Sequence, residues 1–241
     1  MTVIADTITS VEATMLELYA RTNRMGTVAC TIDSGWDTDN GNVSAIGSPL
    51  STVKASQLVG GNDPDRKTWH LYHDTLAAAR RITVNGTTSS DVTAITTVAW
   101  PANLAADSGE IREGFQKCPD SKVLLDNPID RMWQMVILPG PIRGPEFGVK
   151  NRGRFTWPFQ IQIAYETSGA QRDAAQRASE DAQAVVNLLL TDSNQPAGVN
   201  ILRAGAPSVV ATAPTEEGGQ PAWFIQAIPL SASFIEQAVE S

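Results

Sequence analysis

From Phe155 to Tyr165 the odd positions read Phe, Trp, Phe, Ile, Ile and Tyr, and the even positions Thr, Pro, Gln, Gln and Ala. Strict period-two alternation predicts a strand with one buried face. A helix follows over 171–190. Ser168 stands three residues before Gln171, the capping-box spacing, and Ala174, Ala178, Ala182, Val185 and Leu189 recur every three or four residues as one narrow apolar stripe. Alanine lets a helix axis approach closely, and the nearest matching surface is the Phe159, Ile161 and Ile163 face of the preceding strand. Arg172, Gln176, Glu180, Gln183 and Asn187 mark the solvent side, with Asp173, Arg177 and Asp181 spaced for weak surface pairs.

A second one-sided helix is predicted over 10–25, with Thr9 and Glu12 as its capping box and Val11, Met15, Leu18, Thr22 and Met25 on one face. Residues 26–62, rich in Gly, Ser, Thr, Asn and Asp, read as loops and short edge strands. Asp63-Pro64 signals a helix start that would turn Trp69, Tyr72, Leu76 and Ala79 inward, although Trp69 to Tyr72 also suits a short strand. Asn85-Gly86 between β-formers signals a hairpin turn before the β-rich stretch 91–100, lying outside the main sheet or on its edge. Residues 101–130 read as loop. The run 132–138, apolar on both faces, suits a central strand paired with the 155–165 strand. Residues 208–212 and 223–236 complete the β-structure, and a change of buried parity beside Pro229 predicts a bulge or kink.

These elements predict an α+β fold: an antiparallel sheet of about four strands, two helices packed on one face, a long hairpin arm and a β-rich insertion. One domain spanning 1–241, interrupted by the insertion 26–125, accommodates them. The arm, Pro139 to Arg154, holds four glycines and three prolines, and carries Arg143, Lys150, Arg152 and Arg154 against the single Glu146. A connection of that length is usually functional or disordered.

Charge sharpens this picture. A net charge of -8 argues against neutralising phosphates over a broad surface, yet it suits a passage from which DNA slides rather than sticks. No apolar run reaches membrane-span length, and Met1 to Ser10 lacks a signal-peptide profile, so a soluble chain made in the cytoplasm is expected. Cys30 and Cys118, without paired spacing, read as reduced thiols.

Signals for catalysis, cofactors or metals are weak. Gly61 to Thr68 approaches a phosphate-loop pattern, but Arg66 occupies a glycine position and Asp63 and Asp65 would repel phosphate. His70 and His73 share a helix face only loosely and have no third ligand. Asp37 to Asn42 lacks calcium-loop spacing. Nucleophile-elbow and dinucleotide glycine motifs are absent, and the tryptophans read as core. The expectation is a non-enzyme without cofactor.

The capped N-terminal helix, the Phe155 to Tyr165 strand, the Ala-rich helix ending Val185 to Leu190, and the terminal strand Trp223 to Glu236 together resemble the tail terminator, or tail completion, proteins of long-tailed bacteriophages. The similarity covers 9–25 and about 130–237. It implies a structural virion protein in the tail or neck, assembled in the host cytoplasm as a homo-oligomeric, six-membered ring. Such a ring caps the tail tube protein, ends tube polymerisation and receives the head-tail connector or stopper protein, and where a tail has a sheath, the sheath protein is the further candidate partner. DNA would be only passing cargo, and no membrane is involved. Arg143, Phe147, Lys150, Arg152 and Arg154 of the arm are the candidate subunit contacts. The alternatives are a head-completion or stopper protein of the same neck and, from a different class, a small-molecule-binding or hydrolytic enzyme.

Overall fold

The computed structural model describes residues 3–19, 27–33, 40–45, 69–87, 92–97, 100, 106–118, 124, 130–138, 152–167, 171–191, 194–212 and 223–237. They form two compact units, Met1–Met15 with Cys118–Ser241, and Leu16–Lys117, the second interposed in the first along the chain. The architecture is α+β, with two helices and antiparallel sheet structure.

In the first unit the strands are β8 (Met132–Ile137), β9 (Arg152–Glu166), β10 (Val199–Arg203), β11 (Ser208–Thr212) and β12 (Trp223–Gln237). β9 pairs with β12 without interruption from Trp223↔Glu166 to Gln237↔Arg152. β8 pairs with the far side of β9, from Trp133↔Ile163 to Ile137↔Phe159, as the expected hairpin. β10 and β11 lie in succession along the free side of β12.

The odd residues of β9 share a face with the even residues of β12. Helix α2 (Gln171–Leu189) covers that face. Tyr165 meets Asp181 of the helix, and Gln226 lines a cavity with Ser179, Gln183 and Val186. Phe159, Ile161, Ile163, Ala178, Ala182, Val185 and Leu189 are all buried, as the two apolar periodicities require. Helix α1 (Val3–Met15) packs beside α2, and the Ser10 hydroxyl donates to the Asn194 carbonyl at 2.5 Å. On the opposite face of the sheet β9 presents half-buried Thr156, Gln160, Gln162 and Glu166, with Gln134 bonded to its cross-strand partner Gln162 at 2.8 Å. An apolar cluster of Cys118, Leu124, Met132, Ala164 and Ile225 closes one end of it.

The second unit is a closed barrel of β1 (Thr27–Ile32), β2 (Asn40–Ala45), β3 (Trp69–His73), β4 (Ala78–Thr87), β5 (Val92–Thr97) and β6 (Asp107–Glu113), in the order β1-β2-β5-β4-β3-β6. Closure leaves the barrel without a strand edge. β7 (Gln116–Lys117) ends this unit along the chain. The β6-β3-β4-β5 order is a Greek key, in which β6 returns beside β3. β6 runs between β1 and β3, and a Cβ on Gly109 would meet the Tyr72 carbonyl oxygen at 2.5 Å, so only glycine fits there.

Several expectations are corrected. The first helix starts at Val3 and ends at Met15, and Thr9 is not its cap: the Thr9 hydroxyl donates to the Ala5 carbonyl one turn back. Trp69–His73 is a strand, and Leu76, expected inward, is 48 % exposed in the turn before β4. Aromatic residues with β propensity pair across two neighbours there, which outweighs the helical spacing. Asn85-Gly86 makes a bulge within β4 instead of a turn. Residues 107–113, expected as loop, form β6. Residues 40–45 form a short strand as expected, but inside a closed barrel and not on an edge. β8 is not covered on both faces, since Ile137 is 52 % exposed. Beside Pro229 the β12–β9 register is continuous, and the bulge lies in β11 between Val209 and Ala211. The Pro229 carbonyl accepts from Ala204 N–H at 3.0 Å, where the chain passes from β10 to β11. Backbone N–H and C=O of one strand residue point to the same side, so the donor that proline lacks falls at that crossover and not in the β9 ladder.

Candidate functional site

Of the arm residues, Arg143, Phe147 and Lys150 lie outside the described residues. The backbones of Arg152 and Arg154 belong to β9, opposite Gln237 and Ile235. Gly61 to Thr68 and the Ser168 cap also lie outside. His70 and His73 are three residues apart on a strand and therefore point to opposite faces, which removes them as a joint metal site. Among the described residues no group of three or more His, Cys, Asp or Glu is placed to hold a metal ion.

Within the barrel, His73 Nδ1 accepts from Leu76 N–H at 3.3 Å and lies 3.3 Å from Asp107 Oδ2. The Thr75 hydroxyl, then the Ser108 amide, hold the Asp107 carboxyl below its usual range. Asp74 accepts from the Ser108 hydroxyl at 2.7 Å. These bonds pin the β3–β4 turn to the start of β6. On the outer face Arg112 sits 3.6 Å over the Tyr72 ring and bonds Glu110 at 2.8 Å. Cys30 and Cys118 are buried and not joined in a disulfide, and burial, then the nearby carboxylates of Asp74, Glu110 and Asp33, push the Cys30 thiol up to about 12.

The first unit contains a buried ionic network that periodicity alone mistakes for surface pairs. Arg177 donates to Asp130 Oδ2 at 2.5 Å and to the Glu166 carbonyl at 2.7 Å, both of them off its helix. Asp130 also accepts from Glu166 N–H at 2.9 Å. Arg131 Nε donates to Asp181 Oδ2 at 2.8 Å. Burial raises the Asp181 carboxyl above its usual range even beside Arg131. Tyr165 is buried next to Asp181 without a well-formed hydrogen bond to it, and burial, then that carboxylate, raise its hydroxyl well above the ordinary value. This arrangement ties the start of β8, the end of β9 and α2 together. Its sequence signal is an arginine and an aspartate next to the alanine stripe, positions that a helical wheel places at the boundary.

The features available for contact lie along the borders of the sheet. β11 reads Ser-Val-Val-Ala-Thr, and Val209 and Val210 are 58 % and 47 % exposed. Leu202 on β10 is 51 % exposed. From Ala204 to Thr212 the chain carries no charged residue. Beside this border a cavity of about 220 Å³ opens between α2 and the β10–β11 crossover, lined by Ser179, Gln183, Val186, Arg203, Pro207 and Gln226 among others. Gln226 Oε1 is buried there with no hydrogen-bond partner among the described residues. On the other side of the sheet β8 stops at Ile137 while β9 continues to Arg152, so its Arg152–Trp157 segment overhangs. Among the described residues no strand flanks that side of the overhang. No helix among the described residues is long and apolar enough to cross a membrane. No protein-family model, curated protein or solved structure matches this chain.

Proposed function

We propose that this chain is a structural protein of a long-tailed bacteriophage that assembles as a ring on the tail tube, ends tube polymerisation and presents an attachment surface to the head connector. The observation that carries the reading is the β11 border, where Val209 and Val210 are each about half exposed on a strand without a charge to block pairing, next to half-exposed Leu202 of β10, the strand that ends in Arg203. An uncharged, apolar sheet border is a liability in a monomer and an asset in an assembly. The resemblance to tail terminators supplies the kind of assembly, and the elements that carry it lie in the first unit.

The test is direct. Negative-stain images and light scattering of the purified chain should show closed rings. Adding the chain to polymerising tube protein should yield shorter, capped tubes. A chain that stays monomeric at all concentrations and leaves tube length unchanged overturns the proposal.

A further inference from the structure

Resting on the ring-forming reading, we infer that the docking partner of the β10–β11 border is a second copy of this chain, which contributes the β9 overhang, so that one sheet continues into the next. Four observations select that occupant. First, the two borders belong to opposite sides of one sheet, and joining unlike borders is a head-to-tail contact that propagates and can close as a ring. Second, their lengths match, Ser208–Thr212 against Arg152–Trp157.

Third, the exposed apolar side chains fall on the same face. Val209 pairs with Gln226 of β12, and Gln226 belongs to the helix-covered face. Ile137 pairs with Phe159 on that same face beside the inner end of the overhang, and half-buried Phe155 lies on the same face within the overhang, four residues from Phe159. A joined sheet therefore brings Val209 of one copy toward Phe155 and Ile137 of the next and removes them from water together. Fourth, the chain's charge of -8 makes copies repel in general, and the uncharged 204–212 stretch is a place where a second copy approaches at low electrostatic cost. The bulge between Val209 and Ala211 explains why two consecutive valines face outward. The neighbouring cavity then takes one side chain of the incoming copy, with a donor for Gln226 Oε1.

The experiment compares wild type with V209K/V210K by size-exclusion chromatography with light scattering, alongside a pair of cysteine variants, Val209→Cys and Ile137→Cys, mixed and treated with a short bis-maleimide. Lysine on a strand edge blocks pairing while leaving an exposed position soluble. The inference expects wild-type rings, a folded monomeric V209K/V210K with an unchanged circular dichroism spectrum, and a cross-linked dimer only when both cysteine variants are present. If wild type forms rings, V209K/V210K forms the same rings and no mixed dimer appears, this border is not the contact and the ring reading stands. If V209K/V210K fails to fold, the cross-link alone decides between those two results. A wild type that never leaves the monomer overturns the ring reading, and this inference with it.

Discussion

Arg131 Nε donates to Asp181 Oδ2 at 2.8 Å, with both residues about 1 % exposed, and Arg131 holds this position at φ 60, a left-handed backbone conformation uncommon outside glycine. A buried charge pair is not by itself stabilising, because desolvation offsets the attraction, but each partner alone would be costly. Asp181→Ala should therefore lower stability by about 3–5 kcal/mol, and replacing both, Arg131→Met with Asp181→Leu, should restore much of it. Urea denaturation of the two variants checks this. Asp130 Oδ2, 3.7 Å from Arg131 Nη1, offsets only part of the charge that the single variant leaves, so equal losses in both would mean that the pair itself holds the fold.

Tyr165 tests the same site from its neutral member. Its hydroxyl is buried without a hydrogen-bond partner of good geometry among the described residues, so its desolvation is uncompensated. Tyr165→Phe should be within about 1 kcal/mol of wild type or more stable, since removing an unsatisfied buried group relieves its penalty. A loss well above that in thermal unfolding would mean that the hydroxyl bonds Asp181 in solution.

The helix–sheet contact depends on alanine. Ala182, 2 % exposed, lies on the stripe that faces the Phe159, Ile161 and Ile163 parity. Ala182→Trp should overpack the layer and cost at least ~1–3 kcal/mol. An unchanged melting temperature would show that α2 does not rest on this face.

Alkaline pH should weaken the barrel unit. The folded Cys30 thiol is raised from 9.0 to about 12, so below pH 9.0 both folded and unfolded chains hold the proton. Above it the unfolded chain releases the proton first, and Cys30's contribution is lost progressively, at roughly 1.4 kcal/mol per pH unit, until the folded thiol also ionises. Urea midpoints measured at about pH 8 and about pH 11 should differ less in Cys30→Ala than in wild type. Identical differences would remove Cys30 from the titration.

Gly109 tests barrel closure. A methyl group there meets the Tyr72 carbonyl oxygen, which is backbone and cannot swing aside. Gly109→Ala should cost about 1–3 kcal/mol by forcing β6 away from β3. Hydrogen exchange should quicken at the Tyr72 and Gly109 amides, and unchanged protection would mean that the strands relax without opening.

The amino-acid sequence by itself determined which side chains share a face. Alternation from Phe155 to Tyr165 marked the buried side of β9, the alanine stripe marked the contact side of α2, and the β8–β9 hairpin followed from two adjacent β-prone runs. Such periodicities are local, set by the 2.0 and 3.6 repeats of the backbone. Only the tertiary structure decided matters that depend on residues distant along the chain. Arg177 and Asp181 have the spacing of surface partners, yet they turn to Asp130 and Arg131, about fifty residues earlier, because β8 begins beneath α2. Trp69–His73 carries helical spacing, and pairing with β4 and β6 made it a strand. The exposed valines of β11 were ordinary β-formers on the page of residues. They became a candidate contact once β12 gave up its free side to two short strands in succession, leaving β11 on the border of the sheet. Local pattern fixes orientation, and non-local pairing fixes the partner.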